Sequence, residues 1–227
     1  MSEYQYYEFQ AIDRPLTEKE IETLESYSSR AEITSTSFIN EYQWGDFKGD
    51  ADQWMERYFD AFLYLANWGT REFKVRLSAK LLPVATAKQF CLSEYASATE
   101  KNGKTIVSFL SEWDGGDCED GDGWLSSLIP IRDELARGDL RALYLGWLLH
   151  AQQSARDDTL EPPVPPNLGK LSASLKSLAD FLRIDQDLLH VAAECSEKTP
   201  TPRRRTIAEL IAAAQQRTEN RTSSRTL

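Results

Sequence analysis

Two acidic clusters are the residues of this 227-residue chain best placed to do chemistry. Glu41, Asp46, Asp50 and Asp52 alternate with Trp44, Phe47 and Trp54. Paired carboxylates do general acid–base work when burial drives their pKa values apart. The same mixture of rings and acids suits a recognition loop. Nothing in the flanking sequence dictates burial, so partner contact is the preferred reading. The second cluster, Asp114 to Gly123, holds Asp117, Glu119, Asp120 and Asp122 among glycines, an oxygen-rich set that could wrap a hard cation such as calcium or magnesium. An EF-hand spacing is not met from Asp117, Glu119 or Asp120. A solvated loop explains the composition as well, so no metal and no cofactor is assigned.

Nucleophilic chemistry has little support. A Cys195–His190 pair is five residues apart, roughly 140° around a helix. Cys91 could meet His150 only through the tertiary fold, and both histidines read as structural. No G-x-S-x-G, HExxH, Walker A or GxGxxG element is present. Leu178 to Asp185, with Leu189 beyond, has the rhythm of a helix-turn-helix. Arg183, however, stands where the turn wants glycine, and the would-be reading helix from Asp185 to Glu194 carries acids and no Lys or Arg, which phosphates repel. A plain helical hairpin is the better reading.

Charge divides the chain. The formal net charge is -10, from 26 basic and 36 acidic side chains. Residues 198–227 carry seven of the bases and two of the acids, which leaves 19 bases and 34 acids in residues 1–197. A body that acidic is a poor nonspecific nucleic-acid binder. The basic tail could touch phosphates, or dock on an acidic surface of its own chain or of a partner. Three widely spaced cysteines make no disulfide framework. The longest apolar run, Leu143–Leu149, is far short of the ~20 residues needed to span a bilayer. No signal peptide is recognisable, so a soluble cytoplasmic protein with no membrane partner is expected.

These residues must be held by elements that hydrophobic periodicity outlines. Tyr4–Ile12 reads as a strand. Thr17 opens a helix with a Thr17–Glu20 capping box, and Ala31–Ile39 reads as a second strand. A short helix is expected over Trp54–Asp60. Phe62–Ala66 and the alternating Glu72–Leu77 form a hairpin across Asn67–Thr70. A helix over Ala85–Leu92 precedes a second hairpin, Tyr95–Thr99 with Thr105–Leu110, whose Asn102-Gly103 pair tolerates the φ > 0 of a type I′ turn. The grammar then turns helical: Trp124–Ala136, Asp139–Gln153, Leu171–Leu182 and a restart at Asp185. The helix over Asp139–Gln153 is apolar on so many sides that it is either packed all round or waits for a partner. Ile207–Gln216 is a last helix, marginal alone in water.

The segments YQYYEFQAIDRPLTEKE (4–20), WGDFKGD (44–50), ANWGT (66–70) and GDLRALYLGWLLHAQ (138–152) resemble a family of uncharacterised bacterial proteins. The resemblance implies a bacterial, cytoplasmic setting and brings no catalytic or binding residue with it. The chain is therefore expected to be α+β, a mostly antiparallel sheet with helices, ferredoxin-like in one version, followed by an α-helical C-terminal half. The expected division is an α+β domain over 1–113, a helical domain over 124–196 with a Pro-rich connector at 157–169, and a basic tail over 197–227. The expected function is that of an accessory or adaptor protein acting by protein–protein contact in a larger complex. Its anchors would be Trp44, Trp54, Trp68 and Trp147, with Arg203, Arg204, Arg205, Leu210 and Ile211 in the tail. Alternatives are a nucleic-acid-associated factor using residues 198–227, and an enzyme of unrecognised type using the acidic clusters.

Overall fold

The computed structural model describes residues 3–116, 120–154, 158–196 and 204–223. In chain order the elements are β1 (Gln5–Gln10), α1 (Glu18–Glu25), β2 (Glu32–Ile33), β3 (Ser37–Tyr42), α2 (Ala51–Arg57), β4 (Ala61–Ala66), β5 (Arg71–Ser78), α3 (Val84–Ala87), β6 (Ala96–Lys101), β7 (Lys104–Ser111), α4 (Trp124–Leu128), α5 (Pro130–Ala136), α6 (Arg141–Gln153), α7 (Ala173–Phe181), α8 (Gln186–Ser196) and α9 (Ile207–Ser223). The strands form one sheet in the order β2-β3-β1-β4-β5-β7-β6. The fold is α+β. Every neighbouring pair runs antiparallel. β1-α1-β2 with β3 between its strands and β3-α2-β4 with β1 between its strands are two split βαβ units, so β1–β4 have the ferredoxin-like order, which β5, β7 and β6 extend.

Local chemistry explains most boundaries. Thr17 and Glu20 cap α1 reciprocally. Asn102 and Gly103 sit at φ 52° and 71°, the turn that joins β6 to β7. The single strand expected over Ala31–Ile39 is a hairpin, because the Thr34 hydroxyl accepts from the amides of Thr36 and Ser37 and turns the chain between β2 and β3. The helix expected over Trp124–Ala136 is two, since Pro130 has no N–H to continue α4 and instead opens α5. Arg183 holds φ 55° between α7 and α8. That helical hairpin carries its left-handed turn without glycine.

The sheet is covered on both faces. On one, Phe9, Phe38, Phe59, Phe62 and Trp54 pack ring against ring under α1 and α2, with Phe9 and Phe62 centroids 4.4 Å apart. On the other, Leu63, Phe73, Val107 and Phe109 join Leu128, Trp147, Leu178, Leu188 and Leu210 in a single apolar interior. The divisions expected at 1–113, 124–196 and 197–227 therefore do not separate cores. The sheet, the helical half and α9 bury one another. α6 lies within this interior and is buried along nearly its whole length. At its midpoint a Cβ on Gly146 would come within 2.7 Å of the Phe109 ring, so glycine sets how closely helix and sheet approach. Among the described residues, no helix is long and apolar enough to cross a membrane.

Candidate functional site

The antiparallel register decides which loops meet. Gln5 pairs with Tyr42 and Ala66, and Arg71 pairs with Ser111, so the start of β1, the end of β3, the β4–β5 turn and the end of β7 share one end of the sheet. Three tryptophans lie there on separate loops: Trp44 after β3, Trp68 in the β4–β5 turn and Trp113 after β7, with 76%, 45% and 57% of their surface exposed. Gly69 fixes the central one. Its φ is 102°, and a Cβ on it would lie 1.8 Å from the Trp113 carbonyl oxygen, so only glycine lets the turn carrying Trp68 pack against the backbone at Trp113.

Between the 45–51 loop and the sheet face opens a cleft of about 660 Å³, lined by Gln5, Tyr7, Tyr64, Trp68, Asp46 and Glu72 together with Glu3 and Phe62. Gln5, Tyr7, Phe62, Tyr64 and Glu72 reach it because β1, β4 and β5 alternate and these residues fall on one face. The floor is a hydrogen-bonded network. The hydroxyls of Tyr7 and Tyr64 donate to Gln5 Oε1 at 2.9 and 3.0 Å, and Gln5 Nε2 donates to the Gly45 carbonyl at 3.1 Å, which ties sheet to loop. Phe47 stacks on Tyr7 at 4.8 Å. Asp46 accepts from its neighbour's amide at 2.7 Å and from the Tyr7 hydroxyl at 3.4 Å. Burial, with Asp46 and Glu72 adding their charge, pushes the Tyr64 phenol up to about 12.

Beside the cleft, on the same face of β5 as Glu72, Lys74 Nζ sits 5.7 Å over the Phe62 ring and pairs with Asp52 and with Glu72, the latter at 3.1 Å. Burial disfavours its charge, but Glu72 and Asp52 outweigh that and hold the ammonium above its ordinary value. Glu72 also accepts from Ser108 Oγ at 3.0 Å. Asp50 caps α2 through the Gln53 amide, and this bond holds its carboxyl below the usual range. The carboxylates of the first acidic cluster thus have separate structural partners. Glu41 lies on β3 in register with Tyr6, away from this lining.

The remaining expected site residues divide sharply. Trp44 and Trp68 are exposed at the cleft end. Trp54 is a correction: it is 3% exposed in the aromatic core, because the Asp50 cap starts α2 and turns this side chain inward. Trp147 and Leu210 are fully buried in the main core, and Ile211 is half-buried against it. Trp147 and Leu210 present no free face. The basic tail is docked. Arg205 Nε and Nη2 donate to the Glu161 carboxylate at 2.9 and 2.8 Å, and the Tyr144 hydroxyl donates to the same carboxylate. Arg204 Nε donates to the Glu161 carbonyl. Further along α9, Arg217 and Arg221 flank Asp187 of α8 at 3.3 and 2.9 Å. α9 packs against α8 at Asp187, while Gln186, Leu189, His190 and Ala193 of α8 line an open cavity. Arg203 lies outside the described residues, as do Lys198, Arg225, Asp117, Cys118 and Glu119.

The other chemistry candidates are inert or dispersed. Burial alone pushes the Cys91 thiol up to about 12, the reverse of an activated nucleophile. Among the described residues, no three His, Cys, Asp or Glu side chains come together as a metal-binding set. Asp120 accepts from the Asp122 amide at 3.2 Å and from the Tyr4 hydroxyl. Sequence reasoning missed Trp113 because Asp114-Gly115-Gly116 follows it and draws it into the acidic loop. The usable signal was an aromatic at the junction of a strand and a glycine turn. No protein-family model, curated protein or solved structure matches the chain.

Proposed function

We propose that the chain is an accessory protein working by protein–protein contact within a larger bacterial complex, and that its recognition surface is the tryptophan-bearing end of the sheet. The observation that carries this reading is the exposure of Trp44, Trp68 and Trp113 on three adjacent loops beside a concave cleft. Exposed large aromatics held on a rigid frame are the usual anchors of interfaces. The frame here is a hydrogen-bonded antiparallel sheet. The docked arginines of the tail favour a structural role for α9, so the recognition surface is moved from the tail to the sheet end.

The test is affinity capture from a bacterial lysate treated with nuclease, using the full chain and the Trp44→Ala/Trp68→Ala/Trp113→Ala variant. The reading expects a stoichiometric protein bound by the first and lost by the second, with circular dichroism and Tm nearly unchanged. A protein captured equally by both refutes the assignment.

A further inference from the structure

We infer that the cleft beside Trp68 takes the guanidinium or ammonium group of a basic side chain on an extended polypeptide, an inference that deepens the recognition reading and rests on it. Charge gives the first argument. Among the described residues, Glu3, Asp46 and Glu72 line the cleft and no Lys or Arg does. Lys74, beside Glu72 on the same face of β5, is shared by Asp52 and Glu72, while the contacts of Asp46 are a neutral amide and a neutral phenol. A neutral ligand would leave this negative field uncompensated, whereas a cation is drawn into it.

The rings give the second argument. Trp68, 45% exposed, and the half-buried Tyr64 stand on the wall, and an indole face is the best side-chain partner for an organic cation. The chain already uses this chemistry next door, where Lys74 sits over Phe62 between two carboxylates.

Dimensions give the third. Trp44 to Trp113 spans the successive strands β3, β1, β4, β5 and β7, four spacings of ~4.8 Å or about 19 Å in all. That is the reach of roughly six extended residues, so a polypeptide can touch all three tryptophans while one basic side chain enters the cleft.

The test is a tryptophan-fluorescence titration of the full chain with an acetylated, amidated hexapeptide bearing two arginines. It is run beside the same peptide with citrulline in their place, and beside spermine. The arginine peptide is expected to bind, to weaken with added salt, and to exceed the citrulline peptide by about tenfold. Trp68→Leu and Asp46→Asn, both exposed positions whose folding circular dichroism checks, are each expected to weaken it about two- to fivefold. For the Trp68→Leu protein, calorimetry replaces fluorescence. Equal binding of the citrulline peptide overturns the charge argument while leaving polypeptide recognition standing. Spermine bound as tightly as the arginine peptide overturns the polypeptide source. Binding untouched by either variant overturns the location, and no binding of the arginine peptide overturns the inference as a whole.

Discussion

Glu161→Ala tests most severely how the C-terminal helix is held. Glu161 is 2% exposed on the Pro-rich strap and receives the Tyr144 hydroxyl and two donors of Arg205. Burial opposes the charge of Arg205, yet its bonds to Glu161 outweigh that and hold the guanidinium above its ordinary value. Removing the carboxylate leaves a mostly buried guanidinium and a fully buried phenol without their acceptor. Breaking one partner of a buried pair costs about 3–5 kcal/mol. The Arg205 side chain is 18% exposed and regains some water, which places the expected loss near the low end, about 3 kcal/mol. For a chain of this size that is a fall in Tm of roughly 6–12 °C. Urea unfolding of Glu161→Ala, Arg205→Met and the double variant gives the coupling directly. The double variant is expected to lose clearly less than the two single losses combined, since it removes both charges together. Hydrogen exchange should show α9 opening before the sheet. A loss below about 1 kcal/mol in Glu161→Ala, or strict additivity, refutes the view that this pair fastens the tail.

Three further outcomes follow from the same geometry. Trp54→Ala should cost about 3–5 kcal/mol as a buried aromatic truncation, whereas Trp44→Ala, at an exposed loop position, should stay within about 0.5 kcal/mol; denaturant melts of the two compare them. The Arg14 guanidinium and the Thr17 cap hold the Glu20 carboxyl at about 2, below the unfolded range near 4.3. A folded pKa below the unfolded one stabilises the protein above the unfolded value, and that stability is lost as pH falls from about 4 towards 2. The Tm of the wild type should therefore drop more steeply across that window than the Tm of Glu20→Gln. Gly69→Ala should lower Tm and raise the accessibility of Trp68 to acrylamide, because the added Cβ collides with the Trp113 carbonyl.

How far the sequence could be read depended on the range of the interaction. The Thr17–Glu20 box, the Asn102-Gly103 turn and the Glu72–Leu77 alternation are decided by residues a few positions apart, and they stand in the structure where the pattern put them. The helix apolar on too many sides resolved into α6, packed all round, because both the sheet and later helices close on it. What was illegible is nonlocal. Asp60 is 1% exposed and accepts from the amides of Ile12 and Asp13 and from Arg76, partners scattered along the chain. Glu161 and Arg205 meet across 44 residues, so a tail set apart by its basic composition is fastened through a carboxylate in a proline-rich connector, through Asp187 of α8 and through the buried Leu210. The same limit governed the tryptophans: Trp44, Trp54, Trp68 and Trp147 read alike as anchors, but the sheet register brings Trp44 and Trp68 to one end together with Trp113, while α2 and α6 bury Trp54 and Trp147.

Recognition through the tryptophan end of the sheet, and not through the basic tail, makes a prediction about which positions touch the partner. Photo-crosslinking in living cells addresses it directly, with a photoreactive amino acid placed singly at positions 44, 68 and 113 and, for comparison, at the α9 positions 208 and 215. Crosslinks to one protein are expected from the three loop positions and none to it from α9. Crosslinks from α9 alone would contradict it.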